Sequence, residues 1–81
     1  MLLAAITVES YSGFKADEEP RRFSWEGQWL EVVDIIDRWH HGHPDPEWPL
    51  ADYFKVLGPD TRQYLIKHDL EADEWYLVKR Y

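Results

Sequence analysis

Trp29-Leu30-Glu31-Val32-Val33-Asp34-Ile35-Ile36-Asp37-Arg38-Trp39 is the stretch whose reading decides the fold. Val32, Ile35, Ile36 and Trp39 stand at i, i+3, i+4 and i+7, the stripe of an amphipathic helix. Against that stripe, Val32, Val33, Ile35 and Ile36 are β-branched; they lose rotamer freedom in a helix and pack well on a pleated surface. The segment is therefore read as one long strand with a bulge near Val33-Asp34 that re-faces the side chains. A helix over residues 32–39 is the alternative.

Toward the N-terminus, Glu26-Gly27 offers the chemistry of a tight hairpin turn, and Arg22-Phe23-Ser24-Trp25-Glu26 alternates with Phe23 and Trp25 on one face. Residues 14–19 are a polar connection, with Phe14 as an anchor and Pro20 at the entrance of the following strand. Ile6-Thr7-Val8-Glu9, with Leu2 and Leu3 before it, is the first strand, closed by Ser12-Gly13. Toward the C-terminus, His40 to Ala51 carries Gly42, Pro44, Pro46 and Pro49 and is read as a long loop. Strands follow at Asp52–Leu57, Arg62–His68 and Glu74–Val78, separated by Gly58-Pro59-Asp60-Thr61 and by residues 69–73.

Six short strands with regular turn signals predict an all-β chain of one domain, residues 1–81: a small five- to six-stranded antiparallel, partly open barrel, SH3-like or OB-like. The expected core is Trp25, Leu30, Val32, Phe54, Val56, Ile66, Trp75 and Leu77. A chain of 81 residues buries about 64% of the surface it exposes when unfolded, which allows one thin core. Without cysteine there is no disulfide or thiolate metal site to staple it, so the five Trp, five Tyr and three Phe must supply the buried area.

Sixteen acidic side chains against nine basic ones leave a net charge of −7, which opposes nonspecific attraction to nucleic acid or anionic lipid. No run approaches the roughly 20 apolar residues of a membrane span, and Met1-Leu2-Leu3-Ala4-Ala5-Ile6 lacks the flanks of a signal peptide. A cytoplasmic protein with no membrane association, monomeric or weakly dimeric, is the expectation.

Val8-Glu9-Ser10-Tyr11-Ser12-Gly13-Phe14-Lys15-Ala16-Asp17-Glu18-Glu19-Pro20, followed by Leu30-Glu31-Val32-Val33-Asp34-Ile35-Ile36-Asp37-Arg38-Trp39, resembles a small bacterial domain family of unknown function. Tyr53-Phe54-Lys55-Val56, Tyr64-Leu65-Ile66-Lys67-His68-Asp69 and Trp75-Tyr76-Leu77-Val78 look like its closing strands. Such domains look to occur alone or as C-terminal appendages of mutagenesis proteins resembling Y-family polymerases. The resemblance implies a link to a DNA-damage or mutagenesis complex and supplies no catalytic residue. The His- and Pro-rich central loop is longer here than in that pattern.

Three groups of residues carry chemistry. His40, His41 and His43, with Asp45 and Glu47 behind them, offer imidazole and carboxylate donors to a metal. A solvated loop explains them more simply, so no metal and no cofactor is expected. Arg21, Arg22, Arg38, Lys55, Arg62, Lys67, Lys79 and Arg80 lie in or beside strands, while most acids fall in connections, so one sheet face could be locally basic beside exposed rings; Arg62 and Lys67 are its binding candidates. Tyr11, Trp29, Trp48, Tyr53, Tyr76 and Tyr81 are surplus aromatics, and Tyr11, Trp29, Tyr53 and Tyr76 among them are the candidates for a groove of the kind that holds extended peptides. His68-Asp69 does not make a catalytic pair, because neighbours on a strand point to opposite faces. The reading is a non-catalytic interaction module for an unknown protein partner; the alternative is an accessory nucleic-acid-binding domain using the aromatic and basic face.

Overall fold

The computed structural model describes residues 4–12, 18–41 and 50–81. They form β1 (Ala4–Ile6), β2 (Val8–Ser12), β3 (Glu18–Trp25), β4 (Gln28–Glu31), β5 (Asp34–His41), β6 (Ala51–Leu57), β7 (Gln63–Asp69) and β8 (Glu74–Arg80). Every pairing is antiparallel, in a five-stranded sheet of order β1-β8-β7-β6-β5 and a three-stranded sheet of order β2-β3-β4. The fold is all-β, as the sequence predicts, but the strands form two sheets that are not closed into one barrel.

Six expected strands become eight segments because two of them change sheets partway. At Thr7 the first strand leaves β8 for β3: Ile6 pairs with Trp75, the Thr7 carbonyl accepts from the Ser24 amide at 2.8 Å, and Val8 pairs with Phe23. At Val32-Val33 the long strand passes the other way. The Val32 amide donates to the Arg21 carbonyl on β3 and the Val33 amide to the Leu57 carbonyl on β6, each at 2.8 Å. Switching strands of this kind make the corners between packed sheets. The alternation of side chains is unchanged by such a switch, which is why the sequence shows no sign of it.

The helix alternative fails, since residues 34–41 are strand. The bulge lies one turn of the pleat later than expected, at Ile36, where the register with β6 shifts between Ile35 and Asp37. It accounts for the helix-like stripe. Val32 and Ile35 pack against the core, whereas Ile36 and Trp39 are about half exposed. The extra residue shifts parity, so a two-faced strand mimics a one-faced helix.

Glu26 and Gly27 both have positive φ (51° and 77°) and close a two-residue β3–β4 hairpin, the backbone of a type I′ turn. Pro20 is buried within β3 opposite Ser10, next to the bulge that Arg21 makes in the same strand, a setting that tolerates proline in a sheet. The core is Phe23, Phe54, Val56, Tyr64, Ile66, Trp75 and Leu77, with Ile6, Val8, Trp25, Leu30, Val32 and Ile35 packed partly buried against it. Five of the expected core residues are there; Trp25, Leu30 and Val32 are only at its margin. Phe23 and Tyr64 complete the core, and neither is in the expected set; the Tyr64 side chain carries a hydroxyl into it. It is satisfied internally, donating to Asp60 Oδ2 at 2.5 Å. Among the described residues no helix is long and apolar enough to cross a membrane.

Candidate binding face

Alternation on β6, β7 and β8, broken on β8 by the bulge at Val78, sends Phe54, Val56, Tyr64, Ile66, Trp75 and Leu77 to the core side of the five-stranded sheet. The residues between them occupy the outer side. Hairpin register then sets one row across four strands: Trp39 faces Tyr53, Tyr53 faces Lys67, and Lys67 faces Tyr76. Three of the residues singled out from the sequence, Tyr53, Lys67 and Tyr76, thus lie side by side on neighbouring strands.

The Trp39 and Tyr53 rings are stacked at 5.4 Å and 7°, and His41 meets Tyr53 edge-on at 6.3 Å. Tyr76 donates its hydroxyl to Glu74 Oε2, which raises its pKa above the ordinary phenol value and holds the ring along the strand. A second row, two residues along β5, β6 and β7 and three along β8 across a bulge at Val78, contains Asp37, Lys55, Leu65 and Lys79. Both ammonium groups converge on the Tyr81 ring, Lys55 Nζ at 4.6 Å and Lys79 Nζ at 4.7 Å from its centroid. Among the described residues none of Lys55, Lys67 and Lys79 pairs with a carboxylate. Acids on this side sit at its rim and already have partners. Asp69 accepts the Glu71 and Ala72 amides in the β7–β8 turn, Glu74 accepts from Tyr76, and Asp37 accepts the Arg38 amide at the β5 edge.

The remaining expected residues are elsewhere. Trp29 is on the three-stranded sheet, 46% exposed, with the Arg22 guanidinium 4.6 Å above its ring. Tyr11 pairs with Glu19 on β2, also on that sheet, and its side chain lies outside the described part. A single groove lined by Tyr11, Trp29, Tyr53 and Tyr76 is therefore not assembled. Arg62 is exposed in the β6–β7 turn, beyond the end of the row. Lys55 and Lys79, from the strand cations, and Tyr81, from the surplus rings, join the face, and so does Trp39, which the sequence placed only in the apolar stripe. Trp39 could not be put on this face from the sequence, because the length of the 42–50 connection fixes no register.

His40 and His41 belong to β5 rather than to a loop, and His43 lies outside the described residues. His40 Nδ1 is 2.7 Å from Asp52 Oδ1, across the sheet from the face that His41 and Tyr53 share. Among the described residues no three His, Cys, Asp or Glu side chains are grouped to hold a metal ion. His68 is buried, lies flat on Trp75 at 4.0 Å and bonds through Nε2 to Asp73 Oδ1 at 2.8 Å, while its chain neighbour Asp69 serves the turn. Asp73 takes φ 53°, a left-handed conformation that aspartate tolerates better than most residues.

Comparison with known protein families, curated proteins and solved structures returns no match to this chain.

Proposed function

We propose that the protein is a non-catalytic interaction module that engages a macromolecular partner through the outer face of its five-stranded sheet. The observation that carries this reading is the cross-strand row Trp39, Tyr53, Lys67 and Tyr76. Flat rings and an unpaired cation, held in fixed register on a rigid sheet, form a preorganised surface that costs little ordering entropy on binding. In the same proposal, the strands that switch sheets at Thr7 and Val32-Val33 make the body a partly open barrel of the SH3-like or OB-like kind. Membership of a DNA-damage or mutagenesis complex is the setting that the sequence resemblance implies.

A photo-crosslinking side chain tests the face without presuming the partner. With p-benzoylphenylalanine in place of Leu65, on the same side of β7 as Lys67, irradiated cells should yield a discrete adduct, and the same group in place of Glu31 on the three-stranded sheet should not. Equal adducts at both positions, or none at position 65, would remove this face as the binding surface.

A further inference from the structure

We infer that the partner of this face is single-stranded nucleic acid, its bases on Tyr53 and Tyr76 and its phosphates on Lys55, Lys67 and Lys79. The inference rests on the proposed binding face and adds the class of ligand. Three observations converge on it. First, the Trp39 and Tyr53 rings are already stacked, and Trp39 is 42% exposed, so a base can extend the stack. Unpaired bases stack on such platforms whatever their sequence, because every base has a π-face. Second, Tyr76 lies two strands from Tyr53, about 9 to 10 Å at the usual interstrand spacing, with Lys67 directly between. A chain of alternating rings and anions fits ring, cation, ring in that order.

Third, Lys55 and Lys79 both reach the Tyr81 ring, and among the described residues neither forms an ion pair, although Asp37 lies opposite Lys55 in the register. Two ammonium groups on one small patch of sheet favour an anion beside them. Phosphate is an anion that lysine binds well as a point charge. The rim carboxylates Asp37, Asp69 and Glu74 bound the face on two sides, so the strand crosses it rather than extending along a long basic track. The same rim and the net charge of −7 disfavour a duplex, whose bases are already stacked and whose charge density is higher. An acidic peptide would answer the lysines but leave the rings without flat partners.

The test is fluorescence anisotropy of labelled oligo-dT and oligo-U of about 12 nucleotides, a length within the range that one small β domain covers. The full chain is used, with amide NMR shifts to locate the contact and a duplex of equal length for comparison. Single strands should bind in preference to duplex and move the amides of residues 53, 67 and 76. Three phosphate contacts at roughly 0.7 each predict a log affinity against log salt slope of about −2. The triple variant Lys55→Gln, Lys67→Gln, Lys79→Gln should bring that slope close to zero. Tyr53→Ala should weaken binding by about 5- to 140-fold, and Trp29→Ala on the other sheet should leave it unchanged. If Tyr53→Ala does not fold, the exposed lysine set alone decides the matter. Duplex preference, undiminished binding by the triple variant, or unmoved face amides at low salt would each overturn the inference. Should the oligonucleotides fail while the crosslink at position 65 persists on a protein, the face is a binding surface and only the ligand class is wrong.

Discussion

The two sheets enclose one core but contribute to it unequally. β6, β7 and β8 provide Phe54, Val56, Tyr64, Ile66, Trp75 and Leu77, whereas the three-stranded sheet provides one fully buried side chain, Phe23, and a margin of half-buried ones. Phe23 meets Tyr64 edge-to-face at 5.1 Å, while Val8, Trp25 and Leu30 pack against the same core only partly buried. A lid held by one fully buried ring and a half-buried margin should respond differently to damage from a platform that supplies most of the core. The platform is also the element that displays the binding row, so its rigidity is a functional requirement as well as a structural one.

Removal of Phe23 probes that contrast most strongly. Phe23→Ala and Trp75→Ala should each cost about 3 to 5 kcal/mol in urea unfolding, a large part of the roughly 5 to 15 kcal/mol that a domain possesses. Hydrogen exchange separates the two. If the smaller sheet is a lid, Phe23→Ala speeds exchange in β2, β3 and β4 well before β7 and β8, while Trp75→Ala loosens both sheets together. Uniform loss of protection in both variants would mean that the sheets form a single cooperative unit.

A smaller effect is expected where the platform turns. A Cβ at Gly58 would stand 2.8 Å from both Asp60 Oδ1 and Tyr64 Cε1, and Gly58 is buried. Gly58→Ala should therefore cost about 1 to 3 kcal/mol by overpacking. The same turn sets a pH dependence. Burial, reinforced by the bond to Asp60, pushes the Tyr64 phenol up to about 12, while that bond holds the Asp60 carboxyl below its usual range. The raised phenol keeps its proton in the folded state, so its stabilisation is complete below the unfolded value near 10 and is lost as pH rises toward 12. The lowered carboxyl works in the opposite sense: its share is present above the unfolded value of 3.8 and lost as pH falls through the folded one. Tyr64→Phe should flatten the alkaline decline in urea midpoints; an unchanged slope between pH 10 and 12 would show that another group causes it.

How far the sequence could be read follows the same division. On the platform, period-two alternation and clear turns identified β6, β7 and β8, their buried side, and Tyr53, Lys67 and Tyr76 as surface candidates. Alternation tells which residues share a side of one strand, and the short β6–β7 and β7–β8 turns convert that into neighbours across strands. The smaller sheet was less legible. Nothing local marks Thr7 or Val32-Val33 as points where a strand changes sheets, because the long-range amide partners on β3 and β6 decide it. Phe23 and Trp25 alternate identically in sequence, yet only Phe23 is fully buried, since it sits opposite Val8 and Leu30 in mid-sheet while Trp25 adjoins the hairpin turn. The buried His68 was hidden for a related reason: its partners Asp73 and Trp75 arrive from across a turn whose shape depends on an aspartate at positive φ.

The smallest effect belongs to the outer side of the lid, and it sharpens the comparison of surfaces rather than cores. Trp29 is as exposed as Trp39, and each has one close companion, the Arg22 guanidinium for Trp29 and the Tyr53 ring for Trp39. The companions differ in what they leave free. Arg22 is itself engaged by Glu9, which closes a small self-contained group of ring, cation and carboxylate. Tyr53 continues to Lys67 and Tyr76, a row whose cation pairs with no carboxylate among the described residues. Trp29→Ala should therefore cost no more than about 1 kcal/mol of stability and leave ligand binding intact. Trp39→Ala should cost a similar amount in urea unfolding but reduce retention of a partner on the five-stranded sheet. If the two variants proved interchangeable in both measurements, exposure alone would govern these rings, and the cross-strand row would have no special standing.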